Sequence, residues 1–319
     1  MYKFLIILIL LLNFRVYKVN AQTAGAMTTS SLEIPTENYT TKYVWLGDTL
    51  NSKWEPYSAL LIPVKLSGCP KQFYMQFDLG APHSLFYSNK LKVIRAKYPQ
   101  SNIDIADTSK TTGLTFLVAD QYVHAKAIGL RSLGGHTINW NNKTTEIIGT
   151  LGVDLITDRI AIIDYPKKNL SISMKIPDYI SQQVTLSPFM FMQGSILFPA
   201  LIHGKQTLLY FDTGSSAFEL LTSKETCTTL ATANAVTISY LVKSWGKTLT
   251  ANTITTRDSL ELANQRLPIK RATYIEGASD SQIQQMMKLG IGGMIGNKLF
   301  LNAILIMDTI NKKFGVIYK

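Results

Sequence analysis

The sequence predicts an all-β protein of two similar lobes related by an approximate twofold axis, with a few short helices. Three observations carry that prediction. Short alternating or fully apolar runs rich in Val, Ile, Thr, Tyr and Phe recur along the chain, punctuated by Gly, Pro and Asn, with few long stretches of helical period. The run ALLIPVKLSGCPKQFYMQFDLGAPHSLFYSNKL (59–91) lies over SILFPALIHGKQTLLYFDTGSSAFELLTSKE (195–225), sharing an apolar strand, a proline, a turn, a second apolar strand, Asp, Gly and a small residue. A further pair follows in the same order: IIGTLGVDLITDRIAIIDYPKKNLSIS (147–173) lies over GIGGMIGNKLFLNAILIMDTINKKFGVIY (290–318), which sets Gly149 on Gly293, Gly152 on Gly296 and Asp164 on Asp308.

The elements follow in chain order. Residues 1–21, MYKFLIILILLLNFRVYKVNA, join Lys3, an apolar run from Phe4 to Leu12 and a small residue, Ala21, in the pattern of a secretory signal peptide. The run is short for a bilayer, and Arg15 and Lys18 interrupt its extension. A secreted or periplasmic protein without a stable membrane anchor is therefore expected. Residues 22–50, rich in Thr and Ser, suggest an extended arm or linker. A first lobe spans 51–183 and contains Asp78, and a second spans 184–319 and contains Asp212. One helix is expected over Asp280–Leu289, capped by Ser279 or Asp280 and stopped at Gly290.

Composition narrows the function. The net charge of +11 falls to +8 without the leader, which carries Lys3, Arg15 and Lys18 and no acid. The basic residues are scattered, with no run longer than pairs such as Lys167-Lys168, Lys270-Arg271 and Lys312-Lys313, so solvated faces are expected and a nucleic-acid partner is not. Cys69 and Cys227 could form one disulfide in an exported protein or stay unpaired. With no CxxC or HExxH and four dispersed histidines, neither a metal nor a cofactor is expected.

The segment LLYFDTGSSAFELL (208–221) sets an acid between apolar runs. A lone carboxylate there is costly to bury, so Asp212 should reach water or share its site with a partner. The repeat supplies that partner: Asp78 falls on Asp212, and a twofold axis can bring equivalent turns together. Two adjacent carboxyls resist joint ionisation, so one pKa rises, the other falls and the pair holds a single proton. Such a pair can activate water against a bound amide, one oxygen acting as base while the protonated group bonds the carbonyl. Gly80 and Gly214 fit a sharp turn with close approach just after each acid. Asp164 and Asp308 also recur, but beside Tyr165-Pro166-Lys167-Lys168-Asn169 and Thr309-Ile310-Asn311-Lys312-Lys313, where turn formers are expected. His83 and Ser84 are adjacent on a strand and point to opposite faces, which argues against a Ser–His nucleophile.

With these residues, the chain resembles the pepsin-like, two-lobed aspartic peptidases from about Tyr57 to its C-terminus. Asp212-Thr213-Gly214-Ser215-Ser216 matches that family's second active-site motif, Asp78-Leu79-Gly80-Ala81 matches the first in part, and IIGTLG and GGMIG resemble its apolar-Gly elements. The resemblance implies a double-β-barrel architecture and a monomeric endopeptidase acting on a peptide or protein substrate. Asp78 and Asp212 would be catalytic, with Gly80, Ala81, Thr213, Gly214 and Ser215 in support. In the family, each Thr clasps the opposite lobe; Thr213 can do so and Leu79 cannot. Ala81 stands where Ser is common, and Ser215 keeps that hydroxyl for Asp212. Tyr122 is the tyrosine in place for a substrate-covering hairpin, though an ordinary half-buried strand tyrosine is the commoner explanation of such a residue. Two functions are thus expected: an aspartic endopeptidase preferring apolar side chains around the cut bond, or, because of Leu79, a peptide-binding protein with impaired turnover.

Overall fold

The computed structural model describes residues 31–318 apart from Thr36, Gln193, 245–246 and 278–289. The expected leader and the expected helix Asp280–Leu289 lie outside the described residues. The chain is all-β and two-lobed, as the sequence predicts, and the helices of the described residues are short: Ser88–Lys97, Asp178–Ser181 and Lys224–Leu230.

Each lobe is built on an eight-stranded sheet. In the first, the strand Phe73–Phe77 leads into Asp78, and in the second Lys205–Phe211 leads into Asp212. The registers repeat. Phe77 pairs in parallel with Leu151, and Phe211 with Ile295. The strand after each acid turn then runs antiparallel to that neighbour, Phe86 opposite Gly149 and Thr222 opposite Gly293. A Cβ on Gly293 would stand 2.5 Å from the Leu221 carbonyl oxygen, and one on Gly149 would overlap that of Leu85. The apolar-Gly elements therefore require glycine so that one strand can pass tightly behind another.

A six-stranded sheet joins the halves. Its central strands, Ile160–Asp164 and Ala303–Asp308, are antiparallel, with Ile160 opposite Asp308, Ile162 opposite Ile306 and Asp164 opposite Ile304. The axis of the repeat thus passes between Ile162 and Ile306. Both strands read as continuous apolar runs because both faces are covered. Ile160, Ile162, Ile304 and Ile306 pack with Ile180 on one side, while Ala161, Ile163, Leu305 and Met307 join the main core on the other. The flanking acids form turns: Asp164 Oδ1 accepts from the Lys167 amide at 3.0 Å, and Asp308 Oδ1 from the Asn311 amide at 2.9 Å.

Of the extended arm or linker expected at residues 22–50, the part from Ser31 onward is built into the sheets and is no linker. Ser31–Glu33 pairs with Gln121–Arg131, Tyr39–Lys42 with Asn169–Ser173 in the joining sheet, and Val44–Leu50 with Lys53–Leu66. Threonines and serines serve as strand residues there because alternate positions such as Tyr39 and Thr41 are buried. Cys69 and Cys227 are both buried and free.

Candidate active site

Two equivalent turns build the site. At each strand end the acid's own amide is held by the neighbouring parallel strand, Asp78 by the Leu151 carbonyl and Asp212 by the Ile295 carbonyl, both at 2.9 Å. Each chain then tightens: Ala81 N–H donates to the Asp78 carbonyl and Ser215 N–H to the Asp212 carbonyl, both at 3.1 Å. The carboxylates accept from the glycine amides two residues on, Gly80 to Asp78 Oδ1 at 3.0 Å and Gly214 to Asp212 Oδ1 at 2.7 Å. The two turns face one another. A Cβ on Gly214 would stand 2.6 Å from Asp78 Oδ1, and one on Gly80 would overlap Asp212 Oδ1. The absence of side chains at these glycines is what allows the acids to meet.

Asp78 is 1% exposed and Asp212 0%, and their carboxyl groups hydrogen-bond each other. The sequence expectation was a split pair, one pKa up and one down; the split is present, but burial lifts both. Desolvation raises Asp78 well above the ordinary aspartate range, reinforced by the negative charge of Asp212 and by the hydrogen bond to it. Desolvation also raises Asp212, to about 6, against the opposing pull of the Ser215 hydroxyl, of Asp78 and of the backbone amides. Ser215 Oγ donates to Asp212 Oδ2 at 2.9 Å, whereas Ala81 has no hydroxyl to offer Asp78. Asp212 therefore carries the charge first and Asp78 retains the proton, donating it toward its partner.

Beneath the pair, Thr213 clasps the opposite lobe. Its hydroxyl donates to the Phe77 carbonyl and accepts from the Leu79 amide, each at 2.8 Å. Leu79 is wholly buried in the main core and returns no such bond. Three further residues, missed in the sequence, support the turns. The Tyr210 hydroxyl donates to the Gly80 carbonyl at 3.0 Å, crossing between lobes. Asn297 donates to the Thr213 carbonyl at 2.8 Å and to Ser216 Oγ at 2.6 Å, while Tyr165 donates to Asn297 Oδ1 at 2.6 Å. Tyr210 could have been found from its place two residues before Asp212, which strand alternation puts on the acid's face. Asn297 follows the repeated Gly296 but has Val153 as its counterpart, so the repeat gives no signal for it.

The structure places Tyr122 on the strand Gln121–Arg131. It lies just past the Val118–Gln121 hairpin turn, 67% exposed, paired through Leu117 to Lys65. Gln121–Arg131 runs parallel to Leu85–Tyr87 just as Gln265–Glu276 runs parallel to Leu220–Thr222. The hairpin of Tyr122 is thus the counterpart of Lys247–Leu262 with Gln265–Glu276. His83 and Ser84 precede the strand Leu85–Tyr87 and do not lie on one, so strand alternation does not apply to them; Ser84 is occupied structurally, donating to Asp154 Oδ1 at 2.6 Å and accepting from the Gly152 amide at 2.9 Å. Among the described residues no cluster of three His, Cys, Asp or Glu could hold a metal ion.

No protein-family model matches the sequence, and no curated protein matches it. Among solved structures the chain is similar to an aspartic proteinase from Irpex lacteus, with 10% sequence identity, coverage of 89% of this chain and 98% of that chain, and a TM-score of 0.48.

Proposed function

We propose that this protein is an exported aspartic endopeptidase in which Asp78 and Asp212 activate one water against a peptide bond. The observation that carries the reading is the reciprocal packing of two equivalent turns, each glycine lying against the other turn's carboxyl, with both acids buried and sharing a hydrogen bond. Structural turn acids have no need of one another; these two meet at a cost in desolvation that only a shared proton offsets. In the step proposed, ionised Asp212 takes a proton from water as its oxygen bonds to the amide carbon, while Asp78 gives its proton to the carbonyl oxygen. Collapse of the adduct breaks the C–N bond: the proton on Asp212 passes to the leaving nitrogen, and one hydroxyl proton of the adduct returns to Asp78, so that water is divided between the two products and the pair regains its starting state.

Leu79 favours a second reading, a peptide-binding protein with impaired turnover, because half of the clasp beneath the acids is missing. Incubating the mature protein with a mixed peptide library from acid to neutral pH, beside Asp212→Asn, separates the two. Cleavage lost on substitution is expected. Peptide binding without cleavage supports the second reading, and cleavage that survives the substitution removes the first.

A further inference from the structure

Strand alternation places the residue two positions before each acid on the acid's own face, which makes Gln76 and Tyr210 repeat-related neighbours of the pair. Their surroundings differ. The Tyr210 hydroxyl is satisfied by the Gly80 carbonyl, and its ring packs in an apolar cluster with Leu197, Phe218, Leu221 and Met294. Gln76, 2% exposed, has its Nε2 buried with no hydrogen-bond partner among the described residues. Its parallel-strand partner is Thr150, the counterpart of Met294, and the Thr150 hydroxyl meets the Tyr87 hydroxyl at 3.3 Å. Tyr87 in turn lies close enough to Asp78 to feel its charge. The acid pair is therefore flanked by a polar wall on the first-lobe side, formed by Gln76, Thr150 and Tyr87, and by an apolar wall on the other.

We infer that Gln76 selects the substrate residue seated against the first lobe, taking an uncharged side chain with an acceptor oxygen, a carboxamide or a hydroxyl, while the second-lobe side takes an apolar one. This rests on the peptidase or peptide-binding reading of the cleft. An orphaned buried amide donor is costly, and a ligand that supplies an acceptor recovers that cost where an aliphatic side chain leaves it standing. A carboxylate would accept the same bond but would sit beside a pair that already carries one negative charge, which disfavours it. It differs from the expectation of apolar preference on both sides of the cut bond.

The test compares the mature protein with Gln76→Leu on peptides varied at the two positions flanking the bond. At one of them, Gln, Asn, Ser or Thr is expected to be preferred over Leu by about tenfold, and Gln76→Leu to reverse the order. Apolar preference at both positions, or an unchanged profile in the variant, overturns the inference. Gln76→Met serves if the leucine variant fails to fold. A second arm is independent of turnover: reduced-bond peptides differing only in Gln against Leu are titrated calorimetrically, and the Gln peptide is expected to bind about tenfold tighter. Equal binding, or none, refutes the inference. If the binding preference holds while no peptide is cleaved, the peptidase reading fails and this one stands.

Discussion

Leu79→Thr should restore the missing half of the clasp. Thr213 shows what a threonine does in this place, making two bonds of 2.8 Å to the opposite turn. The twofold relation directs a hydroxyl at position 79 toward the Phe211 carbonyl and the Thr213 amide. Two buried hydrogen bonds contribute about 1–3 kcal/mol net. Against this, Leu79 is 0% exposed, and exchanging it for Thr withdraws about two methylene equivalents, ~1.6 kcal/mol at ~0.8 each. The two effects nearly cancel, so the urea unfolding midpoint should hardly move. Activity should respond more, because the acid pair would be fixed from both sides: a rise of about tenfold in kcat/KM corresponds to about 1.4 kcal/mol of better-held geometry. Unfolding curves and initial rates on one cleaved peptide test both parts. A variant of ordinary stability whose rate is flat or reduced would show that the clasp does not govern the pair.

Ala81→Ser should give Asp78 the hydroxyl that Ser215 gives Asp212, favouring its ionised form by about 1.5–3 kcal/mol and moving the alkaline limb of the kcat/KM profile one to two units, roughly, toward acid; a limb that stays in place excludes the donor asymmetry as its cause. The acid pair should also make the fold less stable as pH rises. Both acids titrate above the ordinary aspartate value of 3.8. Below that value folded and unfolded chains are equally protonated and the contribution is fully present. As pH climbs from there through the folded pKa of Asp212 at about 6, the unfolded chain releases protons that the folded pair still holds, and stability is lost. Asp78→Asn should therefore flatten the decline in urea midpoint between acid and neutral pH; an equally steep decline in the variant would place its origin elsewhere.

The acid pair, its glycines and the apolar-Gly elements were legible because they are duplicated, and a duplicated turn has few explanations besides a shared site. Register was legible for the same reason: Gly149 and Gly293 occupy matching places at a fixed offset. The partner of the Tyr122 hairpin was not legible, because the sequence shows a hairpin but not which strand it joins; the structure pairs Gln121–Arg131 in parallel with Leu85–Tyr87. The arm misled through composition. Its polar residues face solvent from strands whose other face is covered, and Thr/Ser content does not distinguish such a strand from a linker. Gln76 escaped notice because an orphaned amide is a property of its neighbours, none of which is adjacent in sequence.

The antiparallel pairing of Ile160–Asp164 with Ala303–Asp308 has a mechanical consequence. The halves are not hung on a flexible tether; they are welded along a hydrogen-bonded spine, further riveted where Thr309 donates to the Ile156 carbonyl at 2.8 Å. Swinging one half away from the other would shear that spine, so admission of a bulky guest must come from movement of surface segments above it. Insertions or deletions in those segments should leave the spacing of residues 78 and 212 untouched, freeing the mouth of the molecule to diversify around a fixed base.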